Sequence, residues 1–213
     1  MPSDSHCWDV ASQQTLTHEG GGDSTTIVNM VRYAIQKYNV NPDRVFVSGW
    51  SSGGMMTNVL AATYPDVFKG AASLSGCPYG CLAQKNASPR NRHSSPFSDN
   101  SGCPQAKVTK TGTQWQALVK SAYPGYNGPY PKMQLWHGTS DAIVNYKCST
   151  EAQKEWSAIF GIQVSRNISN DPQFGYTKSV YGDGTKLVAY SASGVGHMDI
   201  PSHGAQILEW FGL

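Results

Sequence analysis

Charge is scarce in this sequence. Asp, Glu, Lys and Arg make up 14% of its 213 residues, against about a quarter in an ordinary soluble domain. No run of Lys or Arg is present and the formal net charge is only +2, so nucleic acid and anionic membranes are excluded as partners on electrostatic grounds. No apolar stretch approaches the roughly 20 residues that cross a bilayer, and no membrane partner is expected. The opening residues, Met1-Pro2-Ser3-Asp4, lack the basic start and apolar stretch of a secretory leader. Zinc-site spacing is missing as well: Cys77 and Cys81 have no second pair at a matching interval, so no metal is expected.

What is present points outward from the cell. Five cysteines, Cys7, Cys77, Cys81, Cys103 and Cys148, without metal spacing predict two or more disulfides in an oxidising compartment, with one thiol left over. Asn86-Ala87-Ser88 and Asn167-Ile168-Ser169 are glycosylation sequons, which fit secretion. Low charge, 22 glycines and 11% aromatics suit a secreted protein that faces a polysaccharide.

Hydrophobic periodicity lays out the elements. Residues 1–22 are polar and irregular. Asp23 or Ser24 is placed to cap a helix to about Tyr38, whose Ile27, Met30, Val31, Ala34, Ile35 and Tyr38 keep helical spacing. Asn41-Pro42-Asp43 turns the chain into a strand at 44–48, and a helix follows to about Thr63. Ala71 to Ser75 reads as a strand. Periodicity is then lost from Gly76 to about Thr113, a stretch with three cysteines and the cluster Arg90-Asn91-Arg92-His93. We expect there either a disulfide-stapled excursion over the active-site face, with Cys81–Cys103 a candidate pair, or a plain surface loop. Gln114 to Ser121 predicts a helix and Met133 to His137 a strand. Thr150 with Gln153 predicts a capping-box helix start. Phe174 to Tyr181 and Lys186 to Ser193 flank Gly182-Asp183-Gly184 as a hairpin, and His203 to Phe211 closes the chain as a helix. Alternating strands and helices imply an α/β class, a mostly parallel sheet with helices on both faces. Residues 1–213 read as one domain.

The chemistry concentrates at Ser48-Gly49-Trp50-Ser51-Ser52-Gly53-Gly54. Gly49 to Gly53 is G-x-S-x-G between a strand and a helix, the setting in which a sharp, strained turn raises a serine hydroxyl at a sheet's carboxyl edge. Serine needs a base, and the base needs an orienting carboxylate. Asp141 and His197 follow predicted strands in the chain order Ser…Asp…His of an α/β hydrolase. Rivals are weaker. His137 is better placed to support the acid loop than to act as base. His203 is expected in an exposed polar role, and His6, His18 and His93 are expected to be solvated. Asp183 suits a hairpin tip, and Asp199 follows the histidine. The backbone N–H of Ser52 is the expected oxyanion donor. Trp50 is a candidate pocket residue, whereas Trp136 is expected in the core.

These residues resemble the fungal carbohydrate esterase family 1 group, acetylxylan and feruloyl esterases of the esterase/polyhydroxybutyrate-depolymerase type of α/β hydrolase. The likeness is carried by Cys7-Trp8-Asp9-Val10, Gly20-Gly21-Gly22-Asp23-Ser24, Ser51-Ser52-Gly53-Gly54-Met55-Met56-Thr57-Asn58, Ala61-Ala62-Thr63-Tyr64-Pro65-Asp66, Trp136-His137-Gly138-Thr139-Ser140-Asp141 and Gly194-Val195-Gly196-His197. It implies a Ser51–Asp141–His197 triad, an α/β-hydrolase fold, no cofactor, and secretion for plant cell-wall breakdown, with acylated xylan as the polymeric partner. It implies release of acetyl or feruloyl groups, with a lean to acetyl on family frequency and a polyhydroxyalkanoate depolymerase as a lesser reading. Trp50 departs from the small residue usual at that place. No strand precedes the elbow strand, so the family's amino-terminal strands and second oxyanion donor are expected to be absent. A non-catalytic fragment or carbohydrate-binding remnant is the alternative to an enzyme.

Overall fold

The structure, a computed structural model, describes residues 7–83 and 102–213. Its frame is a six-stranded sheet: β1 (Phe46–Trp50), β2 (Gly70–Leu74), β3 (Lys132–Gly138), β4 (Val164–Ser169), β5 (Tyr176–Tyr181) and β6 (Leu187–Ala192), in the order β1-β2-β3-β6-β5-β4. β1, β2, β3 and β6 run parallel, and β5 and β4 are added antiparallel. The predicted sheet and hairpin are there. β4 was not anticipated, because its exposed Val164-Ser165-Arg166-Asn167 carries no apolar alternation. β1 runs two residues further than predicted, up to the turn itself.

Both faces of the sheet are covered, and alternation assigns the residues. Ala71, Met133, Leu135, Leu187 and Ala189 face Ala61 of α2 (Ser52–Thr63) and Ala152 and Trp156 of α4 (Lys147–Phe160). Their neighbours Ala72, Leu74, Trp136, Val188 and Tyr190 face Ile207 of α5 (Gly204–Phe211). A third cluster lies beyond α2, where Val28 of α1 (Asp23–Tyr38) and Trp115 and Val119 of α3 (Gly112–Ala122) are fully buried. Among the described residues, no helix is long and apolar enough to cross a membrane.

Several local expectations need correction. α1 is capped by Gly22 without a side-chain bond, not by Asp23 or Ser24. The Asp23 carboxylate instead accepts the Asp9 N–H at 2.9 Å, and Ser24 Oγ donates to the Thr15 carbonyl at 2.6 Å. Met30 and Tyr38 are exposed, and Val28 is the buried anchor. The capping box is at Thr111 and Gln114, while α4 begins at Lys147 ahead of Thr150. Residues 7–22 are irregular but not merely solvated. Asp9 is buried and gathers Ala11, Ser12 and Thr15, and His18 stacks on Tyr123 at 3.5 Å with Nδ1 2.6 Å from the Thr63 carbonyl. Cys81 and Cys103 form the predicted disulfide, but Cys7, Cys77 and Cys148 are thiols, so a second bridge is not formed among the described residues. His6, the 90–93 cluster and the Asn86 sequon lie outside the described residues.

Glu155 is fully buried on α4. One oxygen accepts the Tyr79 N–H at 3.0 Å and the other has no partner. Burial pushes its carboxyl well above its ordinary value of 4.5, and the Tyr79 bond only partly opposes this. The fold therefore holds it neutral, whereas the unfolded chain ionises it above about 4.5. The stability it contributes is complete below that pH and is lost as pH rises. Glu155→Gln should raise Tm by a few degrees at pH 8 and change it little at pH 4, as read by thermal melts across pH.

Candidate active site

The site begins with close backbone approach. A Cβ on Gly49 would lie 2.3 Å from the Gly53 carbonyl oxygen, and one on Gly54 would lie 2.5 Å from the Leu74 carbonyl oxygen. That Leu74 oxygen accepts the Ser51 N–H at 2.9 Å, tying the turn to β2. Gly53, the last residue of the pentapeptide, is not crowded: a Cβ there meets only Trp8 Nε1, at 4.0 Å. Gly54→Ala should therefore cost about 1–3 kcal/mol through overpacking at backbone, while Gly53→Ala should be neutral or mildly stabilising, as alanine is the better helix former. Paired denaturant melts would separate the two.

Between these glycines Ser51 has φ 57° and ψ −120°, a region a non-glycine residue occupies only at a cost of order 1–3 kcal/mol. The turn lifts Oγ to 2.9 Å from His197 Nε2, and His197 Nδ1 lies 2.7 Å from Asp141 Oδ2. β1, β3 and β6 deliver these residues at their carboxyl ends, through the turn after Trp50, the loop after Gly138 and the loop after Ala192. The three side chains predicted from order alone are thus in one hydrogen-bonded chain, with Asp141 and His197 buried.

Burial by itself would push the Asp141 carboxyl up. Hydrogen bonds from His137 and His197, and from the Val144 and Ile143 N–H groups at 2.7 and 2.9 Å, outweigh it and hold the group well below the usual carboxylate range. An ionised Asp141 only accepts, so His197 Nδ1 carries the proton and Nε2 is left bare to accept from Ser51. Serine is thereby placed against a base of the correct tautomer.

His137 supports the acid loop, as expected, and does so directly. It is buried on β3 with Nε2 2.8 Å from the Val144 carbonyl and 3.2 Å from Asp141 Oδ2. Both neighbours are acceptors, so Nε2–H donates between them. His137→Ala would leave the Val144 carbonyl and one carboxylate lone pair without that donor. It should lower kcat by up to about 10²-fold through misplacement of Asp141 with KM little changed, as read by steady-state kinetics.

Trp50 flanks the site. Its ring lies 4.9 Å from that of His197, its Nε1–H donates to the His197 carbonyl at 3.3 Å, and it is 40% exposed. With Leu74, Met198, Ile200, Pro201 and Ser202 it lines a mostly apolar hollow of about 310 Å³. Ser52 opens α2, so its N–H belongs to the first helical turn, where donors lack helical acceptors. The rivals lie elsewhere. Asp183 accepts from Thr185 at the hairpin turn, and Asp199 is exposed. His203 is not exposed, contrary to expectation: it stacks on Trp136 at 4.0 Å, with Nε2 3.1 Å from the Tyr176 hydroxyl. Trp136 is buried, as expected.

Comparison with known proteins places the chain among relatives. Residues 12–155 match the prolyl oligopeptidase family. The chain is 45% identical over 210 residues to feruloyl esterase B of Talaromyces funiculosus, covering 99% of this chain and 58% of that protein. It is 46% identical over 212 residues to feruloyl esterase B of Neurospora crassa, covering 100% of this chain and 70% of that protein. The structure of an acetyl xylan esterase from Aspergillus awamori superposes with a TM-score of 0.90 at 41% identity, covering 99% of this chain and 74% of that one. The chain thus spans less than two thirds of the length of the Talaromyces relative.

Proposed function

The chain belongs to the family of fungal feruloyl and acetylxylan esterases, α/β hydrolases, and we propose that it is a serine carboxylic ester hydrolase that removes acyl groups from xylan. The observation that carries this is the unbroken chain Ser51 Oγ–His197–Asp141, at 2.9 and 2.7 Å, on a strained turn. In this reading Ser51 Oγ attacks the ester carbonyl while His197 Nε2 takes its proton. The Ser52 N–H, at the positive end of α2, helps hold the oxyanion. Collapse of the tetrahedral intermediate releases the sugar alcohol, which takes the proton from His197, and leaves an acyl-enzyme. Water deprotonated by His197 then frees the acid and restores Ser51. Asp141 stays ionised throughout and holds the imidazolium. No step calls for a cofactor or a metal.

The acyl group is acetyl or feruloyl. Acetyl is supported by the acetyl xylan esterase at TM-score 0.90. Feruloyl is supported by the apolar hollow beside Trp50, whose 310 Å³ falls in the range of small-molecule pockets and exceeds what an acetyl group needs. Assays on acetylated xylan beside methyl ferulate test both. Release of acetate or ferulate is expected, and hydrolysis of neither would refute the reading. A single domain over residues 1–213 and an extracellular site of action complete the proposal. The Cys81–Cys103 disulfide and the exposed Asn167 support the latter.

A further inference from the structure

The Cys81–Cys103 bridge does not account for the sulfur chemistry behind the acid loop. The sulfurs of Cys77, Cys103 and Cys148 all lie within 4.8 Å of one another, and all three residues are buried. Cys103 is committed to Cys81, which leaves Cys77 and Cys148 as two thiols facing each other. Hydrogen bonds hold their surroundings. The Cys77 carbonyl accepts Asn58 Nδ2 at 3.0 Å, Cys148 Sγ–H donates to the Cys103 carbonyl at 3.4 Å, and the Asn145 N–H donates to the Pro104 carbonyl at 2.8 Å. A disulfide needs its sulfurs about 2.05 Å apart, so the two sulfurs have at most a few ångströms to close.

We propose that Cys77 and Cys148 are a second disulfide site, closed by an oxidised dithiol carrier or a small disulfide such as oxidised glutathione. The Cys148 thiolate attacks the carrier disulfide, giving a mixed disulfide and one thiolate leaving group. The Cys77 thiolate then attacks the Cys148 sulfur, forming Cys77–Cys148 and expelling the second carrier thiolate. Two protein thiols are oxidised, one carrier disulfide is reduced, and the two protons pass to the departing thiolates. In the folded chain burial pushes the Cys77 thiol up, and the neighbouring Cys148 adds to this. In the proposal the bond closes during folding, before Cys103 and Pro104 dock against Cys148 and Asn145. The bridge ties the segment after β2, whose Leu74 holds Ser51, to α4, which begins six residues after Asp141. It encloses about 70 residues, a loop long enough for a large entropic effect on the unfolded chain.

The test is a cysteine map of the full chain refolded in a reduced and oxidised glutathione buffer, alkylated under denaturing conditions and digested without reductant. Peptides linking Cys77 to Cys148 and Cys81 to Cys103 are expected, with Cys7 alkylated. Cys77→Ala/Cys148→Ala should melt roughly 5–10 °C below the oxidised protein while Cys81–Cys103 stays intact. Alkylation of both Cys77 and Cys148 would overturn the proposal, as would a link from Cys103 to either of them. The map alone decides the matter if the double variant does not fold.

Discussion

Ser51→Ala should lower kcat/KM on any ester this chain hydrolyses by at least about 10⁴-fold, and toward 10⁶-fold if the residual background is low. The alanine keeps the Cβ, and with it the strain of φ 57°, so the turn, its bond to Leu74 and the packing of α2 stay as they are. Only the hydroxyl that faces His197 Nε2 at 2.9 Å is removed. Tm should move by no more than a few degrees. Ser51→Gly should be equally inactive but more stable, because glycine adopts positive φ without the Cβ penalty. Activity lost without stability lost is the signature of a nucleophile, and a melt run beside the kinetics reads both. Hydrolysis retained in Ser51→Ala would remove Ser51 from the mechanism.

Asp141→Asn should cost about 10⁴-fold in kcat with the fold intact. The oxygen that accepts the Ile143 and Val144 N–H groups at 2.9 and 2.7 Å is satisfied by the amide carbonyl. The amide nitrogen must then face His197 Nδ1 and His137 Nε2. There it donates where a carboxylate accepted, so the neutral His197 takes the opposite tautomer, with Nε2–H pointing at Ser51. Such a nitrogen cannot take the serine proton. The same exchange flattens the acid side of the stability profile. The ionised carboxylate's contribution is complete above its ordinary value of 3.8 and is lost as pH falls below it. Asparagine has no such dependence. The wild-type and variant Tm values should therefore converge as pH falls through the carboxylate range, in melts taken from pH 6 to pH 3.

Much of this site was legible because chain order and strand ends are written in local pattern. Val45-Phe46-Val47 before Gly49-Trp50-Ser51-Ser52-Gly53 announces a strand, a turn and a helix. Asp141 and His197 each follow an apolar run, and the carboxyl edge of a parallel sheet brings such residues together. The misreadings share a different cause. His18 and His203 sit in polar surroundings in sequence, yet stack on Tyr123 and Trp136, aromatic partners from distant elements. β4 exists because β5 offers it an edge, not through its own alternation. The crowded glycine of the helix start is Gly54 rather than Gly53 because β2 passes there, which no pentapeptide records.

The amino-acid sequence by itself determined the class of fold, the order of the elements other than β4 and the three side chains of the hydrogen-bonded chain, since each depends on local periodicity, turn chemistry and position along the chain. Only the tertiary structure decided how those side chains are tuned. The ionised state of Asp141 comes from two histidines and two backbone N–H groups converging on one buried carboxyl. The tautomer of His197 follows from it. The meeting of Cys77 with Cys148 and the hollow beside Trp50 are likewise made by segments far apart in the chain. Hydrogen bonding, burial and close approach depend on separations in space, which adjacency along the chain does not specify.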